Sequence, residues 1–248
     1  MKAMVFAAGL GTRLRPLTNT TPKAMVKVGG KPMLEHVISH LTSHGFNEIV
    51  INIHHFGQQI IDYLEANNNF GATIHISDER DELLETGGGI LKARKWLDGD
   101  EPFLIHNADI LTNLNLHDFY DYHMHHNADV TLLTKVRDTS RYLLCDSANR
   151  LHGWTNIKTG EIKPAGFVFD TERYHKLAYG CVQVVSPRIF SSLENYTNEH
   201  KFSIFPFYLS ICERMKIMCY SPTQEYQWFD IGTPETLAKA ESWIDSQR

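Results

Sequence analysis

The sequence predicts an α/β fold, and three observations predict it. From residue 3 to residue 135, short apolar runs that suit buried strands alternate with stretches whose apolar residues recur at three- and four-residue spacing. Glycine clusters interrupt that alternation at Gly9 and Gly11 and again at Gly87 to Gly89. From Tyr142 onward the texture shifts to shorter strands and closely spaced turns. Such a pattern implies a Rossmann-like, mostly parallel sheet with helices on both faces, continuous with a β-rich region. In sheets of this kind ligands bind beyond the carboxyl ends of the strands.

Residues 3–6 form the first strand. Pro32 suits the first position of a helix over 32–44, with Met33, Leu34, Val37, Ile38 and Leu41 on its apolar face and Gly45 as its stop. A strand at 48–53, a helix at 56–67 with Phe56, Ile60, Ile61 and Leu64, and a strand at 73–77 continue the order β, α, β, α, β. Thr86 to Gly89 open a helix over 90–96, and a strand at 103–105 ends at Asn107-Ala108-Asp109. A helix at 116–126 and a strand at 129–135 follow. Short strands are expected at 142–145, 151–154 and 166–169, with a hairpin about Thr159-Gly160. A strand at 181–185, a helix from Pro187, a helix over 204–214 and a strand at 216–220 complete the core. The terminal helix takes Thr233 as N-cap, Pro234 in its first position and Glu235 in its first turn.

With 248 residues and 42% hydrophobic content, the chain can build one large core or a domain with an appended subdomain. Its net charge of −5, from 24 basic and 29 acidic residues, gives no basic field of the kind nucleic acid requires. Cys145, Cys181, Cys212 and Cys219 have no C-x-x-C spacing and read as reduced, packing thiols of a cytoplasmic protein. The apolar run after Met1-Lys2 breaks too soon for a secretory leader, and no segment is long enough to span a membrane. Among the histidines, His123 and His126 share a helix face but His125 does not, and no third ligand completes a metal site.

The loop from Ala7 to Thr18, with Thr21 to Met25 behind it, is the chemically informative stretch. Small residues at Ala7, Ala8, Gly9 and Gly11 let backbone N–H groups approach an anion, and Arg13, Arg15 and Lys23 add fixed positive charge. A nucleoside triphosphate is the expected ligand. The dinucleotide fingerprint fails because Leu14 stands where its third glycine belongs and Pro16 and Pro22 interrupt the helix. A Walker loop fails at Gly30-Lys31-Pro32, with Met25 in place of its leading glycine. A turn made for packing would explain the glycines but not the three cations. Asp109 and Asp230 are carboxylates in apolar surroundings at strand ends, the protein share expected of a Mg²⁺ site completed by phosphates; Asp230 could instead cap the last helix. Glu85-Thr86-Gly87-Gly88-Gly89 reads as main chain on which a flat base can lie, or as a flexible loop.

The stretch from Lys2 to Lys31 resembles the N-terminal signature of the sugar-1-phosphate nucleotidyltransferases, matching its small residues, G-x-G-T-R-L-x-P-L-T and downstream P-K. The resemblance implies that Ala8, Gly9, Gly11, Thr12 and Arg13 hold the triphosphate and that Lys23 contacts the α-phosphate or the incoming phosphate. Arg13 and Lys23 are then the catalytic cations. The family's N-G-D and W-x-D-x-G-T segments fall on Asp109 and Asp230 as Mg²⁺ ligands, with Ala108 replacing a glycine. Its T-G-G base motif falls on Glu85, Thr86, Gly87 and Gly88, a patch that phosphocholine cytidylyltransferases lack. Asn107, Tyr179 and Gly180 fall on the sugar side, the last two within a Y-G-C-V segment before Ser186-Pro187. Residues 1–248 then form one domain, with 1–135 binding nucleotide and 136–248 binding sugar and supplying the second metal carboxylate.

Within the family, the short length and Leu84-Glu85-Thr86-Gly87-Gly88-Gly89-Ile90 are most similar to the N-acetylmuramic acid 1-phosphate uridylyltransferases of bacterial cell-wall recycling. Mannose- or heptose-1-phosphate guanylyltransferases are the runner-up. A non-catalytic sugar-nucleotide-binding regulator would need the cradle but not both carboxylates, and a nicotinamide oxidoreductase is weakened at Leu14. Base choice divides the two enzyme readings. A carboxylate at Glu85 suits the N1–H and N2–H₂ edge of guanine, whereas the resemblance favours UTP. Both hold together if Glu85 points away and the glycine N–H groups read the uracil carbonyls.

Overall fold

Parallel strands buried on both faces need continuous apolar runs, and the N-terminal half supplies them. The computed structural model describes residues 1–247. Strand β1 (Lys2–Phe6) is followed by a small ribbon, β2 (Lys27–Val28) with β3 (Lys31–Pro32), then helix α1 (Met33–Ser43), β4 (Glu48–Ile53), α2 (Gly57–Ala66), β5 (Thr73–Asp78), α3 (Glu85–Leu97) and β6 (Phe103–Asn107). β1 pairs in parallel with β4 and β6, and β4 with β5, which gives the order β5-β4-β1-β6. Alternation along β1 sends Met4 to one core and Ala3 and Val5 to the other. The Met4 face is covered by α3 through Ile90, Ala93 and Leu97. The Ala3 face is covered by α1 and α2 through Leu34, Ile38, Leu41 and Ile60.

The second half adds β7 (Ile110–Thr112), α4 (Leu116–His126), β8 (Val130–Lys135), β9 (Arg141–Cys145), β10 (Leu151–Asn156), β11 (Glu161–Lys163), β12 (His175–Val185), α5 (Phe190–Leu193), α6 (Ile204–Ile211), β13 (Ile217–Tyr220), β14 (Trp228–Asp230) and α7 (Pro234–Ser246). β12 is the hinge of the architecture. Its C-terminal part runs antiparallel to β6 and β8, while His175 to Leu177 pair with β9. The register slips between Tyr179 and Gln183, and Cys181 there has a φ of 59°. A bulge of this kind bends the strand, so one strand serves the parallel sheet and then peels away into the antiparallel β9-β10-β11 unit. A cleft opens between the two.

Several sequence expectations shift. Pro32 flanks α1 as its N-cap residue rather than occupying its first position. α3 begins at Glu85, so Gly87 to Gly89 lie inside its first turns rather than in a loop before it. Residues 166–169 form no strand, and α6 stops at Ile211. The pairing of β7 with β14 was not expected at all. α4 falls where its periodicity put it, started by the Asn115 side chain, which accepts from the N–H groups of His117 and Asp118, and ended by Asn127 in the left-handed region. No helix among the described residues is long and apolar enough to cross a membrane.

Histidine serves as a core residue here. His123 on α4 is buried and bonds through one ring nitrogen to the Thr131 hydroxyl and through the other to Ser186. Burial holds its pKa down at about 4, with Arg188 adding to the effect, and burial likewise holds His106 at about 4. A histidine whose folded pKa lies below its unfolded value contributes stability above the unfolded value that is lost as pH falls towards the folded one. Lowering the pH from 7 to 5 is therefore expected to cost about 2 kcal/mol for each of these two histidines. Urea unfolding at both pH values checks this, and an unchanged midpoint in His123→Asn relative to wild type at pH 5 versus 7 would contradict it for that residue.

Candidate active site

The carboxyl end of β1 opens into a cavity of about 340 Å³, walled by Ala7, Ala8, Gly9, Lys23 and, across from them, Glu85 and Thr86. Gly9 faces open space where a Cβ would stand. Gly11 has a different reason to be glycine: its φ is 63°, and a Cβ would sit 2.9 Å from the Thr18 methyl. Thr12 begins the helical turn Thr12–Leu14 and, like Arg15, is exposed.

A buried polar chain fixes this loop to the opposite wall. The Ala7 N–H donates to Asn52 Oδ1 at 2.8 Å, Asn52 Nδ2 donates to Glu79 Oε1 at 2.8 Å, and the Leu84 N–H donates to Glu79 Oε2 at 3.0 Å. Glu79 is fully buried. Sequence reasoning missed both side chains, although an Asn within the apolar run of β4 was a signal. Asn52→Ala leaves a buried N–H and a buried carboxylate without their partner and is expected to cost about 3 kcal/mol. Urea unfolding measures it; a loss below about 0.5 kcal/mol, the scale of an ordinary surface substitution, would mean the chain does not hold the loop.

The second glycine cluster behaves differently from its sequence reading. The N–H groups of Gly87 and Gly88 donate to the Phe202 carbonyl at 2.8 and 3.3 Å, and the Ile204 N–H donates to Thr86 Oγ1 at 2.9 Å. A Cβ at Gly87 would come within 2.3 Å of the Phe202 ring, and one at Gly88 within 2.1 Å of the His200 carbonyl oxygen. These glycines let residues 200–204 lie against α3, and their N–H groups are taken. Glu85 and Thr86 line the cavity, whereas Gly87 and Gly88 are buried and do not. Glu85 borders the pocket and is also exposed to solvent.

Asp109 and Asp230 are brought together by the unforeseen ribbon. In the β7–β14 pairing Asp230 lies opposite Ile110, and the Ile231 N–H donates to the Asp109 carbonyl at 2.8 Å. The Lys23 ammonium forms an ion pair with Asp109. Asp230 Oδ1 is buried with no hydrogen-bond partner. Burial and the neighbouring Asp109 push the Asp230 carboxyl above the ordinary carboxylate range, against Lys23, Arg13 and Arg137. An orphaned carboxylate oxygen beside a second carboxylate fits a hard cation. Among the described residues no third acidic, histidine or cysteine side chain completes an all-protein metal cluster, so the remaining ligands would be substrate oxygens and water.

Arg13 stands on the Asp230 side rather than beside Gly9. A Cβ on Gly232 would be 2.7 Å from its Nη2 and 2.9 Å from Asp230 Oδ1. Arg137, which the sequence reading overlooked, lines a cavity of about 360 Å³ together with Arg13 and Asp230. Its Nη2 donates to the Tyr179 carbonyl at 3.3 Å, its guanidinium lies 4.9 Å from the Trp228 ring centre, and its buried Nε has no partner.

Arg137 also lines a second cavity, about 560 Å³, between the β9-β10-β11 face and Tyr179, Cys181, Ser203 and Phe205. Ser203 belongs to the walls of this cavity and of the first, so the two adjoin. Of the three sugar-side expectations, Tyr179 lines this cavity. Gly180 does not: a Cβ there would lie 2.9 Å from the Leu133 side chain, and its carbonyl accepts the Trp228 indole N–H at 2.8 Å. Asn107 lines the first cavity instead. Cys181 sits near both aspartates, and its thiol is pushed up to about 12 by burial, Asp109 and Asp230. Such surroundings disfavour the thiolate.

Adjoining cavities flanked by paired carboxylates, with Lys23 beside one and Arg13 and Arg137 beside the other, suit the joining of two anionic substrates. A model of the nucleotidyl transferase family matches residues 2–247. The chain is 31% identical over 247 residues to the N-acetylmuramate alpha-1-phosphate uridylyltransferase of Caulobacter vibrioides, covering 97% of this chain and 95% of that one. The enzyme of the same name from Neisseria meningitidis is 47% identical over 115 residues, about half of each chain (46% and 49%). A probable mannose-1-phosphate guanylyltransferase of Oryza sativa is 34% identical over 254 residues, all of this chain and 66% of that one. In fold, the chain superposes with a TM-score of 0.81 on a putative glucose-1-phosphate thymidylyltransferase from Bacillus anthracis, at 16% identity over 98% of this chain and 94% of that one. The chain thus belongs to the nucleotidyl transferase family, as a sugar-1-phosphate nucleotidyltransferase.

Proposed function

We propose that the protein transfers a uridylyl group from UTP to N-acetylmuramate 1-phosphate, forming a nucleotide sugar and pyrophosphate. The observation that carries the transfer is the joining, by the β7–β14 ribbon, of Asp109, which lines the nucleotide cavity, to Asp230, which lines the cavity it shares with Arg13 and Arg137. Full-length similarity to the Caulobacter enzyme supports the choice of substrates. The part spanning 1–135 binds the nucleotide and the part spanning 136–248 binds the sugar, in a cytoplasmic enzyme of cell-wall recycling.

The acceptor phosphate oxygen attacks the α-phosphorus, the new P–O bond forms, and the bond to the β-phosphate oxygen breaks with pyrophosphate leaving. Both reactants are anions, so the protein's work is to hold them in line and offset their repulsion. The backbone at Ala8 and Gly9 approaches the triphosphate, Lys23 lines the same cavity while paired with Asp109, and Arg13 and Arg137 neutralise charge on the Asp230 side. Asp109 and Asp230 would hold a Mg²⁺ ion, which would supply charge neutralisation to the phosphates. No side chain forms a covalent intermediate.

Guanylyl transfer is the second reading, and one observation favours it: Glu85 lines the nucleotide cavity, where its carboxylate could accept from a guanine edge. Mass spectrometry of the product from equimolar UTP and GTP with N-acetylmuramate 1-phosphate tests the proposal. A UDP-sugar that disappears in EDTA is expected; a GDP-sugar as the main product would contradict it.

A further inference from the structure

Three cations, Arg137, Arg141 and Lys163, line the acceptor cavity against one carboxylate, Glu161. One face of the β9-β10-β11 unit forms its wall, and the registers set out two rows upon it. Arg141, Asn156 and Glu161 are cross-strand partners in one row, and Leu143, Trp154 and Lys163 in the other. Lys163 pairs with Glu161 at 3.0 Å and lies 5.4 Å from the Trp154 ring centre. Arg141 and Arg137 have no carboxylate within salt-bridge distance among the described residues. The two arginines are not equivalent. Arg137 also borders the cavity that holds Asp230 and Arg13, the end where the acceptor's phosphate must lie, whereas Arg141 borders only the acceptor cavity.

A neutral sugar would leave the Arg141 guanidinium facing its hydroxyls with its charge uncompensated. A second anion, away from the phosphate, would satisfy it, and a planar fork of N–H donors matches a carboxylate. We infer that Arg141 reads a carboxylate borne by the acceptor sugar, and so selects acidic sugar 1-phosphates over neutral ones. Apolar Leu143, Trp154 and Phe205 beside it suit the carbon chain that carries such a carboxylate. The inference rests on the proposed acceptor, since N-acetylmuramate differs from N-acetylglucosamine by a lactyl ether ending in a carboxylate.

The test uses the full chain with UTP and three acceptors: N-acetylmuramate 1-phosphate, the same compound with its lactyl carboxylate converted to the amide, and N-acetylglucosamine 1-phosphate. A charge-assisted hydrogen bond predicts that the wild type favours acid over amide by about 10- to 100-fold in kcat/KM. In Arg141→Gln that ratio is expected to fall to within about threefold of unity, and Arg141→Lys to restore part of it, on the same charge-assisted bond. If the wild type favours the acid and Arg141→Gln keeps the full ratio, the inference is overturned while the acceptor assignment stands. If the wild type shows no acid-over-amide preference, the inference is overturned without reference to any variant. If it turns over neither N-acetylmuramate compound, the proposed acceptor fails, and the inference with it.

Discussion

Asp230→Asn is expected to lower turnover by about 10³-fold while leaving the protein at least as resistant to urea as the wild type. The two halves of that result have one cause. Asp230 is a mostly buried carboxylate beside Asp109, and its Oδ1 has no hydrogen-bond partner, so its charge is a cost to the fold. Asparagine keeps the volume and removes the charge. A residue retained for packing would lose stability on replacement and leave catalysis alone; one retained to hold a cation against phosphates would do the reverse. Pyrophosphate release at saturating substrate and a urea midpoint on the same preparation measure both. Wild-type turnover in Asp230→Asn, or wild-type turnover in EDTA, would remove the metal assignment.

Lys23→Ala is expected to lower kcat by about 10²- to 10³-fold, the range found on removing one preorganised donor from a developing anion. Lys23 is only 13% exposed, is ion-paired with Asp109 and lines the nucleotide cavity. Its loss leaves Asp109 and Asp230 facing each other with fewer compensating cations and takes one positive charge from the path of the phosphates. Single-turnover kinetics separate this from a binding defect, because a ground-state contact alone would raise KM and leave kcat unchanged. A kcat within threefold of wild type would make the pairing with Asp109 structural. Arg13→Ala is predicted to act on triphosphate binding as well as on rate.

How far the site could be read from sequence follows from how local each signal is. The strands and helices of the parallel half repeat their apolar residues within one element, so β4 and α4 stood out at once. Asp109 and Asp230 were also readable as carboxylates in apolar surroundings, but not the device that joins them. β7 and β14 have three residues each and lie over 110 positions apart, with no periodicity to announce the pairing. The Gly87 to Gly89 run misled because glycine disfavours helix, and here tertiary packing overrides that preference: Phe202 and His200 leave no room for side chains. Arg13 and Lys23 stand out in the sequence as cations of the glycine loop, yet nothing local in it says that one lies beside Asp230 and the other pairs with Asp109. Arg137 follows an ordinary strand and carried no motif.

The position of Glu85 sharpens the remaining choice of base. With the Gly87 and Gly88 N–H groups bonded to Phe202, uracil would be read by the exposed backbone around Glu85 and Thr86 or by the β1 loop, and the Glu85 carboxylate would face a pyrimidine edge with one donor. The uridylyl assignment therefore depends on Glu85 turning towards solvent, for which its exposure leaves room. Steady-state kcat/KM for UTP and GTP with N-acetylmuramate 1-phosphate as the common acceptor tests this most directly. The account predicts UTP ahead by tenfold or more, about 1.4 kcal/mol in transition-state binding. GTP ahead by the same margin would contradict it and move the enzyme to the guanylyl branch.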